Sequence, residues 1–165
     1  MTFLPEKYKI PSTSNYMKLT EGRNQFRVLS SAVVGFEYWN TANKPVRSRD
    51  MFEEMPSDIK VSKEGTTRIN HFWAFIVWNY EAQRVQILEL TQKGIMDTMK
   101  EYVENPAWGS PMDYDFIITR KGAGFDTEYS VTVNPKSPAP QVNMEVVGKI
   151  NLDALFDGSD PFSSK

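Results

Sequence analysis

Rings and cations recur side by side in this chain, in a spacing that suits one chemistry. Tyr38 and Trp39 lead into a polar loop carrying Lys44, Arg47 and Arg49; Arg27 precedes them, Trp73 and Phe75 sit in a later apolar run, and Arg120 and Lys121 close another. Aromatics interleaved with Lys and Arg fit a single strand of nucleic acid. Bases stack on the rings at about 1–3 kcal/mol each, and phosphates sit on the cations. A sheet core beside a solvated basic loop has the same composition. Strand parity sends either Trp73 and Phe75 or Phe72 and Trp78 to an outer face; we take Trp73 and Phe75 as the stacking pair.

Other chemistries find less support. The chain has no cysteine, which excludes disulfides, thiolate zinc sites and cysteine nucleophiles. Its single histidine, His71, excludes a multi-histidine metal site within one chain. Asp50, Glu53 and Glu54, or Asp113 and Asp115, have the look of divalent-metal carboxylates, but no motif joins the two groups. There is no phosphate-binding glycine loop, dinucleotide fingerprint or nucleophile elbow. The expectation is a protein that is not an enzyme, with no metal and no cofactor. No run approaches the roughly 18 apolar residues of a membrane span, and the N-terminus has no basic-then-apolar signal. A cytoplasmic protein without membrane association is expected.

Net charge is −2, which alone argues against a nucleic-acid binder. Its distribution matters more. Of 19 basic and 21 acidic residues, positions 151–165 hold Lys165 and Asp153, Asp157 and Asp160, leaving 18 of each sign in the body. The body is neutral and the end is acidic.

These residues need elements to position them. The run 25–39 reads as one long first strand, with Gly35 fitting a bulge or bend. Residues 40–70 are polar and mixed, a long loop with a helical turn expected at 51–55. The stretch 71–90 reads as two strands joined by a polar turn, the first apolar on both faces. A helix follows, with Thr91 as a candidate N-cap and Ile95, Met99, Tyr102 and Val103 in helical spacing. Asn105-Pro106 ends it. Strands at 114–120 and 127–133 complete the body; a Pro-rich linker at 135–140, a weak helix at 142–156 and a disordered end at 157–165 follow.

The fold class is therefore all-β, β-rich with one or two helices. Five strands, with a helix between the third and fourth and a long loop between the first and second, is the order of a five-stranded OB-fold barrel. An α+β sandwich has the same element count. The organisation expected is an extended arm at 1–19, the barrel at 20–134, and a linker with a flexible acidic tail at 135–165.

Asn15-Tyr16-Met17-Lys18-Leu19, Glu21-Gly22, FRVLS at 26–30, the Gly35…Tyr38-Trp39…Lys44-Pro45-Val46-Arg47 series, FWAFIVWNY at 72–80 and ILELTQ at 87–92 resemble phage-encoded single-stranded DNA-binding proteins. The likeness covers about residues 15–133. It implies an OB-fold protein of phage replication and recombination, working in the host cytoplasm. The tail, with Asp157, Asp160, Pro161 and Phe162, is similar to tails of bacterial single-stranded DNA-binding proteins that recruit replication and repair partners. It departs from them in that Ser163-Ser164-Lys165 follow the Pro-Phe pair, and the lack of cysteine rules out the structural zinc that some phage relatives carry.

The expected function is sequence-independent binding of single-stranded DNA, or RNA. Phosphates would meet Arg27, Lys44, Arg47, Arg49, Arg120 and Lys121, and bases would stack on Tyr38, Trp39, Trp73 and Phe75. Replication and recombination proteins would dock on the tail, which can also compete electrostatically for the protein's own DNA site; a homo-oligomer fits as well. The alternative is an OB-type protein-interaction or scaffold module.

Overall fold

The computed structural model describes residues 3–6 and 14–162. Seven strands form one open antiparallel sheet: β1 (Gly22–Val28), β2 (Val33–Trp39), β3 (Pro45–Ser48), β4 (Asn70–Asn79), β5 (Arg84–Leu90), β6 (Asp115–Lys121) and β7 (Glu128–Val133). Helix α1 (Lys93–Glu104) lies between β5 and β6, and a short α2 (Met144–Lys149) follows β7. The β-rich class is as the sequence implies.

The long first strand is two strands around a break at 29–32. Val28 pairs with Val77 and Val33 with Ala74, so β1–β2 carries two more residues than the facing stretch of β4. The break stays hydrogen-bonded: Leu29 N donates to Ile76 O at 2.8 Å, and the Ser30 hydroxyl accepts from Ile76 N at 2.9 Å. A serine side chain replaces a ladder carbonyl, which lets the strand bend without orphaning a donor. Gly35, expected at the bend, lies inside β2. A Cβ there would run into the Ser48 carbonyl and stand 2.9 Å from the Phe156 ring, so glycine serves close approach.

The expected loop 40–70 contains β3, which pairs with β2 through Glu37↔Arg47 and Trp39↔Pro45. Its low apolar content hid it, because β3 is held by its hairpin. Asn43 sits at φ 59, a left-handed turn conformation that asparagine tolerates. No helical turn forms at 51–55. Helix α1 is capped by Gln92, whose side chain accepts from Ile95 N at 3.2 Å, rather than by Thr91.

The sheet runs β3-β2-β4-β1-β6-β7, with β5 on the second edge of β4. The arm joins β5 through a parallel bridge at Tyr16↔Ile87. Among the described residues no ladder links β5 to β7, so the sheet does not close by hydrogen bonds.

Two apolar clusters lie on opposite faces. The larger holds Phe26, Phe75, Leu88 and Phe116 under Ile95, Met96 and Met99 of α1. The smaller holds Phe72, Ala74 and Ile87, covered by Leu155 from beyond α2. Cross-strand partners share a face. The register Val33↔Ala74, Gly35↔Phe72 and Glu37↔Asn70, continued by Ala74↔Glu89 and Ile76↔Ile87, therefore fixes one outer face across β2, β4 and β5.

Candidate nucleic-acid interface

That outer face gathers much of the chemistry singled out in the sequence. Trp39 shares it with Glu37 and Gly35 by strand alternation, and Arg47 shares it as the partner of Glu37. Trp39 is 47% exposed. The Arg47 guanidinium lies 5.7 Å from the Phe72 ring centroid and donates to Glu37 at 3.2 Å and Glu89 at 2.9 Å. Burial, then the neighbouring Glu89 carboxyl, push the Glu37 carboxyl up to about 8, against the pull of Arg47.

The tail occupies this face. Asn151 caps a short turn, Leu152–Phe156, by accepting from Asp153 N at 3.1 Å. The turn drives Leu155 into the cluster of Phe72 and Ile87 and sets the Phe156 ring 5.8 Å from Phe72. Arg49 caps the arrangement: its guanidinium lies 4.2 Å from the Phe156 centroid and donates to Asp153 at 2.5 Å. The chain then returns, with Asn151 N donating to Pro161 O at 2.9 Å; Pro161 is buried and Phe162 stands edge-on to Tyr16 at 5.9 Å. Residues 157–162, expected to be disordered, pack against the body; Asp157 and Asp160 stay exposed and cap their own turns. Positions 163–165, and positions 1–2 and 7–13 of the arm, lie outside the described residues.

Several predicted contacts fall elsewhere. Arg27 is 1% exposed and forms a 2.6 Å pair with Asp115. Its other nitrogens donate to Met112 O, Ser137 O and the Ser137 hydroxyl. Tyr80 and Gln25 donate to the same Asp115 carboxylate, and burial with that bond pushes the Tyr80 hydroxyl up to about 12. Arg27 is thus an interior strut that pins the linker at Ser137, with no donor directed at solvent phosphate, and Asp115 is its counter-ion. Tyr38 is buried, donating to Asp58 at 2.8 Å. Phe75 is in the main core and Trp73 packs at its edge. The parity is therefore the other one: Phe72 and Trp78 face outward. Lys44 and Arg49 are exposed beside this face. Arg120 and Lys121 end β6, where Arg120 pairs with Gly22 at the start of β1 and donates to Leu19 O at 2.9 Å. They sit at the opposite end of the bent strand from Trp39.

Phe72 was the alternative that strand parity left open in the sequence; the residues of this face that sequence reasoning missed are Glu37, Glu89, Tyr16 and Phe156. Outward apolar residues on a strand that is apolar on both faces were the signal for a covered second face. A groove lined by Trp78, Arg84, Val85 and Val146 extends the outer face toward α2.

No family model, no curated protein and no solved structure matches the chain. Among the described residues no helix is long and apolar enough to cross a membrane.

Proposed function

We propose that this chain is a sequence-independent single-stranded DNA-binding protein with an OB-type barrel. Taking β1–β2 as one bent strand, the order β5-β4-β1/β2-β6-β7, with α1 between β5 and β6, follows OB connectivity. The binding face is the outer surface of β2 to β5, where Trp39 and Trp78, and Phe72 once the tail leaves it, offer rings and Lys44, Arg47 and Arg49 offer cations. The observation that carries this reading is the seat of the tail. An acid and a ring, Asp153 and Phe156, fill a place built from a cation and a ring, Arg49 and Phe72. A phosphate and a base have the same pairing of charge and stacking surface. Single-stranded DNA then competes with the tail, and the displaced tail is offered to replication or recombination partners.

Tryptophan fluorescence during titration with poly-dT, at low and moderate salt with duplex as control, tests this. Quenching by single strands that weakens with salt supports the reading, because phosphate contacts release counterions. The same seat also favours a second reading, a protein-interaction module that grips acidic, aromatic peptides. Absence of poly-dT binding, both for the full chain and for a chain ending at residue 149, leaves that second reading in place.

A further inference from the structure

Arg47 stands between two carboxyl groups on a face proposed to bind a polyanion. Its Nε donates to Glu37 Oε2 and its Nη2 to Glu89 Oε2, and the three side chains are 12%, 6% and 20% exposed. One guanidinium does not neutralise two ionised carboxylates. Fully ionised, the trio carries a net negative charge in a poorly hydrated place, where it opposes a phosphate. Glu37 comes from β2 and Glu89 from β5, on either side of β4, and the one Arg47 guanidinium holds a carboxylate oxygen of each. Glu89 Oε1 is buried and accepts from no donor. A proton held between the two acids relieves the excess charge and gives the pair a hydrogen bond.

We infer that Glu37 and Glu89 are a positioning pair for Arg47, that they hold one proton between them at neutral pH, and that this proton gates phosphate binding by Arg47. The inference rests on the nucleic-acid reading above. With the proton in place the trio is neutral and the guanidinium stays over Phe72. Without it, two carboxylates retain the guanidinium and repel the ligand. The other charged or titratable groups nearby are Tyr16 from the arm, Asp160 and Asp153 from the tail, and Arg49 beyond β3. From β4 the outer face presents Asn70, Phe72 and Ala74, none of which titrates. Burial and the second carboxyl raise Glu37 to about 8, so the proton is present below that pH and lost above it. With no cysteine and one histidine in the chain, few other groups titrate between about pH 7 and 9.

The test is poly-dT binding by the full chain at constant ionic strength at about pH 7, 8 and 9. The wild-type association constant is expected to fall with a slope approaching tenfold per pH unit above 8. Glu37→Gln, an isostere of the protonated acid, is expected to bind at the highest pH as the wild type does at the lowest. Equal slopes for the two proteins overturn the inference and leave the binding reading intact. No poly-dT binding at any pH overturns the binding reading instead. The proton is then read directly by carboxyl-carbon NMR of the DNA-free wild type. One glutamate with an inflection near 8, shifted toward the ordinary range in Glu89→Gln, supports the pair. All glutamates titrating in the ordinary carboxylate range overturn it.

Discussion

Arg49 holds Phe156 and Asp153 at once, with its guanidinium 4.2 Å from the ring centroid and 2.5 Å from the carboxylate. The ion pair is 56% and 66% exposed, so it adds about 0–1 kcal/mol and is screened by salt. The ring, lying against Phe72 and Arg49 together, contributes more to the tail's seat.

Phe156→Ala is expected to weaken docking of the tail by about 1–2 kcal/mol, or roughly tenfold in its docking equilibrium. Amide hydrogen exchange over residues 150–162 should quicken while exchange in β4 stays slow. Poly-dT affinity should rise by up to the same factor. Unchanged exchange in the variant would remove Phe156 from the latch.

The two faces of the sheet should respond differently to truncation. Phe75→Ala opens a cavity in the main core and is expected to lower unfolding free energy by about 3–5 kcal/mol. Trp39→Ala, at a half-exposed position, should leave stability within about 0.5 kcal/mol and weaken poly-dT binding by about 1–3 kcal/mol. Urea unfolding and fluorescence titration of both variants read the contrast. A stable Phe75→Ala protein would contradict the register.

Arg27→Ala leaves the Asp115 carboxylate buried without its cation. Unfolding free energy should fall by about 3–5 kcal/mol. Below the melting temperature the salt dependence of poly-dT binding should match the wild type, since Arg27 contacts no phosphate in this reading. A smaller salt slope in the variant would return Arg27 to the interface.

The raised Glu37 group also sets a direction for stability. A carboxyl whose pKa is higher folded than unfolded contributes stability at acid pH, and that contribution is lost as pH rises through the folded value. The melting temperature should therefore fall as pH rises from the ordinary carboxylate range toward the Glu37 value of about 8 and level off above it, more steeply over that window than in Glu37→Gln. Calorimetry at several pH values checks this, and parallel curves would refute it.

Much of the scaffold was legible in the sequence because it depends on neighbours along the chain. The alternation in 114–120 and 127–133 gave β6 and β7, the helical spacing from Ile95 to Val103 gave α1, and the separation of a neutral body from an acidic end is composition alone. The four-residue β3 was not legible, since pairing with β2 makes it a strand. The outward face of β4 was not legible either. Both faces of that strand are apolar, so parity carries no contrast, and the register with β2 and β5 decides it. Arg27 reads as a free cation until folding brings up Asp115, 88 residues away. The tail reads as disordered because its own residues bury little, while its seat is assembled from β2, β4, β5 and the arm. Local periodicity thus determined which elements exist. Tertiary structure decided which side chains remain available to a ligand, because burial and charge pairing depend on partners that only the folded sheet brings together.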